Sequence, residues 1–516
     1  MGPGVSTCRL FRTLSFHSAF RTRTSLSIRI DGAHPWGVVR GGDLPIVLGR
    51  LFDGALVSRA MRTRLNATAE RLGSNPQRSL PQALGGAGYK GLMRALSNSK
   101  VPQSEMLGAV YRTTVERIEP GQDVLCIEDT TDLIFGGARG RQSLPRLETN
   151  ATGFRAHIAL CVRADTSHGV LGVLDLEQVV RDDAPKSNQS ASQRYNDPRK
   201  ESLRWQRTVE RTEARVAGRA SLIHVRDREG DDYVQLCAIA QEDGRYVQRM
   251  RQARLLAEAP EHAPFARKID EAMQGLAGIC EREVALSARA QGKFDPRPAG
   301  TRKLHPTRRS RRARLRFAAC TLDVRRPDNA PKNAPPVLQL NVVHVQELDA
   351  PEGADPVQWY LLTSEPIDTV EQVLRVVDFY RARWLIEEFN KGLQTGCQYE
   401  KLQMETAERL WSMLAFYCPI VTNLLTLRTL ADQHADTPAT DVLDLDEIDV
   451  LRSERPELRD NTLTVRVALG LIARLGGHFT HNGRPGWLIL LRGMATLRER
   501  AAGWRLARLQ LSRAPP

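Results

Sequence analysis

The chain is short of the features that mark several common protein classes. Its eight cysteines (Cys8, Cys126, Cys161, Cys237, Cys280, Cys320, Cys397 and Cys418) are scattered, with no Cys-x-x-Cys pair and no Cys/His cluster at zinc spacing. That argues against a disulfide framework and a structural zinc, and the thiols read as reduced core residues. No apolar run reaches the ~20 residues of a membrane-spanning helix, which predicts a soluble, cytoplasmic protein with no membrane partner. Acidic residues are missing before Asp31. Residues 1–55, holding many Arg, Ser and Thr, therefore read as a disordered extension, or as upstream sequence translated from too early a start with Met61 as the true one. A nucleotide loop is lacking too. Gly86-Ala-Gly88-Tyr-Lys-Gly91 spells a dinucleotide fingerprint, yet it follows Asn75-Pro76 and Pro81 where a strand is required.

What is present is length and positive charge. With 516 residues and 41% hydrophobic content, the chain can bury a sizeable core and predicts two to four domains. Lys+Arg 74 against Asp+Glu 60 gives a formal charge of +14. A basic surface points to nucleic acid as the polyanionic partner, although an arginine-rich composition offers a blander source of the same excess.

Along the chain, residues 56–120 read as a small basic helical domain suited to gripping DNA. Strand-like runs follow at Asp123–Asp132, His157–Val162 and Val170–Leu174, then a helix over Glu201–Val216, then a strand at Ser221–Asp227. Residues 121–240 are thus the first part of an α/β core. Residues 241–370 form a basic, β-rich insertion, with Arg297 to Arg326 dense in arginine. Residues 371–430 return to the core, where Ala407–Thr429 is a long apolar helix interrupted by Pro419. An acidic linker from Asp432 to Glu457 opens a helical C-terminal domain, 431–516.

Three acidic motifs carry the chemistry. Ile127-Glu-Asp129-Thr-Thr131 and Asp227-Arg-Glu-Gly-Asp231 each end a strand, so their carboxylates meet on one rim of a sheet, where shared charge is costly unless a cation is bound. Taken singly, each aspartate could equally be a turn or helix cap. The third motif, Tyr380 to Gly396, predicts one helix with Tyr380, Arg383, Glu387, Lys391 and Gln394 along a polar side. Trp384, Leu385, Phe389 and Leu393 lie on a core side. Glu387 would complete a carboxylate site for two Mg²⁺ ions, with Mn²⁺ able to substitute.

These three motifs resemble the catalytic segments of the bacterial cut-and-paste transposases of the IS-four family, close to the Tn-five type. The resemblance extends to Ser79-Leu-Pro-Gln82, Trp359-Tyr-Leu-Leu-Thr-Ser-Glu-Pro366, Arg383-Trp-Leu-Ile-Glu-Glu-Phe389 and Ile472-Ala-Arg-Leu-Gly-Gly477. It implies a ribonuclease H-like core with a mixed sheet flanked by helices, an Asp129/Asp227/Glu387 metal triad and a homodimer on double-stranded DNA. It further implies nicking, hairpin formation and opening, and strand transfer at terminal inverted repeats. Tyr380 and Arg383 match the family's clamp on the terminal phosphate. Trp359 matches a tryptophan that stacks on a flipped base, a core strand tryptophan being the alternative. Arg312 and Arg314, with Arg249 and Arg251, are candidate DNA contacts, the alternative being a solvated basic loop. The family signature ends in a lysine where this chain has Gln394, which loses a charge-assisted phosphate contact unless Lys391 substitutes. That departure leaves open a second reading, an impaired, transposase-derived DNA-binding protein acting as an inhibitor or repressor.

Overall fold

The structure, a computed structural model, describes residues 45–136, 144–145, 147, 151–179, 197, 200–286, 307–455 and 463–511. The expected extension up to residue 44 and the basic stretch from Arg297 to residue 306 lie outside them. The described residues form two compact units. One holds residues 226–381 with Asp197, and the other holds the remainder.

The second unit begins earlier than expected. Pro45 to Val57, most of it expected to belong to the extension, is part of the fold: Phe52 is wholly buried with its ring 5.3 Å from that of Phe416. The Phe52 amide donates to Asn66 Oδ1 at 2.8 Å, and Asn423 pairs with the backbone of Ile46 in both directions. Three helices follow, α1 (Arg59–Ser74), α2 (Leu80–Leu96) and α3 (Gln103–Glu116). At the start of α2, Gln82 accepts from both the backbone and the hydroxyl of Ser79, and Pro81 occupies the first turn. The Ser79–Gln82 motif is therefore a helix start. Gly86, Gly88 and Gly91 all lie within α2 and build no phosphate loop.

Strands β1 (Gln122–Ile134), β2 (Gly153–Arg163) and β3 (Val170–Val179) run antiparallel as a meander. Helix α4 (Leu203–Val216) carries the chain over to β4 (Ala220–Arg226), which pairs parallel to β1 with Ile127 opposite Val225. The order is β3-β2-β1-β4. In β1, Val124 to Glu128 is continuously buried, as expected for a strand covered on both faces. The basic side of α4 is paired with acids of β3 and stays partly exposed. Arg207 and Arg211 bind Glu177, and Arg211 and Arg215 bind Asp175.

The first unit contains α5 (Tyr233–Gln241), β5 (Arg245–Arg249), α6 (Ile269–Gln274), β6 (Cys280–Leu286), β7 (Arg311–Arg325), β8 (Val337–Glu347), β9 (Gln358–Thr363) and nearly all of α7 (Val370–Ala382). Its strands pair antiparallel in the order β5-β9-β8-β7-β6. Alternation in β7 buries Ala313, Leu315 and Phe317 while turning Arg312 and Arg314 outward.

At Ala382 the chain returns to the second unit through α8 (Trp384–Lys391), α9 (Ala407–Gln433), α10 (Leu445–Ser453), α11 (Val465–Leu475) and α12 (Trp487–Leu511). Helix α9 corrects two expectations. It is long and apolar enough to cross a membrane, yet its most apolar stretch is almost wholly covered by protein. Pro419 lies inside it without ending it. The expected acidic linker contains α10, where Asp444 and Glu447 cap each other's backbone and Asp446 and Glu447 are buried. Gly476 and Gly493 let α11 and α12 touch backbone to backbone, since a Cβ at either would strike main-chain oxygen of the other helix. The Gly476-Gly477 motif is a packing feature.

Candidate active site

Residues on β1 alternate between its two faces, which separates the adjacent acids Glu128 and Asp129. Glu128 and Thr130 meet His157, His224 and Arg204 on the α4 side. Asp129 and Thr131 lie on the other side, where α8 and the π-helical turn Gly392–Gly396 pack against the strand. Asp129, half-buried, therefore shares a face of β1 with the helix that carries Glu387.

The third motif is not the single helix expected. It breaks at Arg383 between α7 and α8 and ends in the π-helical turn, so Tyr380 and Glu387 belong to different helices. Nor is Trp384 a core anchor. Ile386, Phe389, Asn390 and Leu393 form the buried side, and Trp384 is 51% exposed with Lys391 Nζ 4.4 Å from its ring centre. The offset of a residue or two follows from 3.6 residues per turn.

Two glutamates are adjacent here, and their partners distinguish them. Glu388 binds Lys391 at 3.0 Å, Trp487 Nε1 at 3.1 Å and Arg428 at 3.4 Å. Burial raises its carboxyl, but Lys391, Arg428 and Trp487 outweigh that and hold it below the usual range. Glu388 is thus committed to holding α8 in place. Glu387 is more exposed and pairs with Arg383 one turn earlier.

Gln394, expected at a DNA phosphate, instead donates its amide to the carbonyl of Asp132 at 2.9 Å and to Thr131 Oγ1 at 3.2 Å. It fastens the π-helical turn to the strand that bears Asp129. Lys391, the expected substitute cation, is occupied by Glu388 and Trp384.

In the first unit, Asp227 follows β4 by one residue. Its Oδ1 accepts from the Glu229 amide at 2.7 Å and caps the short turn Arg228–Gly230, the blander of its two expected roles. Its carbonyl accepts from Gln248. Around it the unit gathers cations: Arg228 is pushed below its ordinary pKa by burial and by the charges of Arg249 and Arg251. Arg249 also lies 5.8 Å from the centre of the Trp359 ring, which meets Tyr380 edge-on at 5.3 Å. The sequence-predicted Trp359, Tyr380 and Arg249 are brought together, and Arg228 joins them unforeseen. Arg383 belongs to the other unit. Arg312 pairs with Glu283 at 3.1 Å, and Arg314 pairs with Asp349 at 2.8 Å and Glu281 at 3.7 Å. These pairs are exposed, where an ion pair is worth only about 0–1 kcal/mol, so the arginines can exchange partners for phosphate at little cost.

A second constellation occupies the opposite face of β1. Cys126, Glu128 and His224 are fully buried and bring their ligand atoms within 4.8 Å of one another. No sequence spacing announces it, because His224 comes from β4 and reaches Cys126 only through the parallel ladder.

No protein family matches the chain in a scan of family descriptions. Among solved structures it is similar to the piggyBac transposase, determined by cryo-EM in a synaptic complex with hairpin DNA. The TM-score is 0.30 at 12% identity, covering 82% of this chain and 70% of that one. A score of that size assigns neither fold nor function, and function has to be read from this chain's own residues.

Proposed function

We propose that the chain is a bacterial transposase with a ribonuclease H-like core, cutting and joining phosphodiester bonds at its element's terminal inverted repeats by cut-and-paste transposition. One observation carries the reading. Ile127 and Val225 are register partners on parallel strands, Asp129 and Asp227 each follow two residues later in the chain, and α8, the helix that carries Glu387, packs against β1. Asp129 does not end β1 as expected, since the strand runs on to Ile134, but it lies just past the last rung of the parallel ladder, and a carboxylate there is available to a cation.

The donor set fits Mg²⁺, a hard ion that takes carboxylate oxygens, and Mn²⁺ accepts the same donors. Asp129, Asp227 and Glu387 would hold two such ions, which when bound polarise the phosphate and acidify the attacking water or 3′-hydroxyl. Arg383 restrains the Glu387 carboxylate, Gln394 restrains the end of β1, and Glu388 anchors α8. Trp359, flanked by Tyr380 and Arg249, offers an aromatic face beside positive charge, suited to an unstacked base and its phosphate. Arg251, Arg312 and Arg314 extend the positive surface, and a homodimer would pair two ends.

The test is incubation of the full chain with Mg²⁺ or Mn²⁺ and duplex DNA carrying the sequence that flanks its own gene. Nicking at the repeats that disappears in Asp129→Ala and Glu387→Ala supports the proposal; cleavage unchanged in both sinks it. Repeat binding without cleavage selects the second reading, a DNA-binding inhibitor or repressor, which the commitment of Gln394 to β1 favours by leaving no lysine at that place.

A further inference from the structure

Cys126 and His224 are directly opposite each other in the parallel β1/β4 ladder, so their side chains leave the sheet on the same side. Glu128, two residues on, shares that face. All three are fully buried against α4, and each offers a different donor: sulfur, oxygen and nitrogen.

We propose that Cys126, Glu128 and His224 form a structural metal site for a zinc-class divalent ion, separate from the carboxylates on the other face of β1.

The donor atoms are gathered close to the spacing such an ion needs, and its entry would part the hydrogen-bonded His224–Glu128 pair. Zinc bonds of about 2.0–2.3 Å place tetrahedral donors about 3.3–3.8 Å apart, and the three ligand atoms here lie within 4.8 Å of one another. His224 Nδ1 approaches Glu128 Oε1 at 2.6 Å, while its Nε2 is held by Glu213 Oε1 at 3.2 Å. A carboxylate on the far nitrogen is the outer-shell arrangement that orients metal-binding histidines. A further histidine adjoins. His157 Nε2 is 3.8 Å from Glu128 Oε2, and its Nδ1 is fixed by Thr130 Oγ1 at 2.9 Å. His157 thus borders the trio through Glu128 and is not one of the three converging donors.

A divalent ion binds thiolate and neutral imidazole, so its uptake by these side chains releases protons to solvent. Soft thiolate with imidazole selects zinc-class ions over magnesium.

Cobalt(II) alone, a spectroscopic stand-in for zinc, tests this on the full chain after chelator treatment. One equivalent should produce a thiolate-to-cobalt charge-transfer band together with the visible bands of a tetrahedral ion. Asp129→Ala and Cys161→Ala, the latter altering the thiol opposite Cys126 on β2, should keep the bands. Cys126→Ser should lose the charge-transfer band, and His224→Gln should lose the one-equivalent stoichiometry. Folded wild-type chain without a charge-transfer band overturns the proposal, whatever the variants do, as does a band that survives in Cys126→Ser. Far-UV circular dichroism verifies that each sample is folded.

Discussion

The side-chain amide of Gln394 donates to the carbonyl of Asp132 at 2.9 Å, joining two points 262 residues apart in the chain. A lysine here would offer donors and a charge, but not the planar amide that serves both that carbonyl and Thr131 Oγ1 at 3.2 Å. Gln394→Leu removes both bonds, at about 0.5–1.5 kcal/mol each, and should lower the midpoint of thermal unfolding. If the turn positions β1 for catalysis, the rate of strand nicking falls more than repeat binding does. Gln394→Lys should give no gain in affinity for DNA ends, measured by fluorescence anisotropy; a clear gain would show that the position faces DNA.

Trp359 separates two roles. If it stacks on an extruded base, Trp359→Ala costs about 1–3 kcal/mol of binding, roughly 5- to 150-fold in Kd for a DNA end, with a smaller effect on intact duplex. A Trp359 that only fills space between Tyr380 and Arg249 would give a lower melting temperature and unchanged Kd. Arg249→Ala should weaken binding to all duplexes and reduce its salt dependence.

His344 gives the first unit a pH dependence. It is buried, stacked on Tyr360 at 4.5 Å, and held down to a pKa of about 4 by burial and then by Arg316. The folded chain keeps the ring neutral, whereas the unfolded chain protonates it near pH 6.5. Stability is therefore complete above that value and is lost as pH falls from about 6.5 towards 4, by roughly 2 kcal/mol between pH 7.5 and pH 5. His344→Gln should flatten that part of the denaturant-midpoint profile against pH; an unchanged slope would place the titration elsewhere.

Gly493→Ala should be among the most damaging small changes in the second unit. The added methyl would meet the carbonyl of Ile472 where α11 and α12 touch. Forcing such helices apart costs about 1–3 kcal/mol, and α12 should become the first site of limited proteolysis. Gly503→Ala, on the same helix with nothing within 4 Å of the new methyl, is the matched control and should be neutral or stabilising.

Asp446 binds Arg505 at 2.7 Å and Arg508 at 3.0 Å, tying α10 to the end of α12. The arginines are half exposed and the aspartate nearly buried. Asp446→Ala should cost about 1–2 kcal/mol, less than a wholly buried pair would, seen as earlier cleavage of α12 without a change in DNA cleavage.

How legible all this was in the sequence depended on how local the cause was. The buried run of β1, the helix start at Ser79 and the candidate acids follow from neighbouring residues and period, and the structure realises the strand order that was read from them. Phe52 looked like part of a polar extension because only contact with Phe416, hundreds of residues away, makes it core. Trp384 was misassigned because the register of α8 is set by which residues its neighbours cover. A shift of one or two positions moves a large aromatic into solvent.

By itself, the sequence determined which side chains were available: three acidic motifs on predicted strands and a helix, a basic excess, and a glutamine where the resembled family has lysine. Alternation along β1 already separated Glu128 from Asp129. Tertiary structure decided which partner each one met. Glu388 was taken into a buried network and Glu387 left accessible, Gln394 was turned to the strand, and Cys126, Glu128 and His224 were gathered into one core cluster. Such choices depend on strand register and helix packing, which bring together groups far apart in the chain and have no local signature in it.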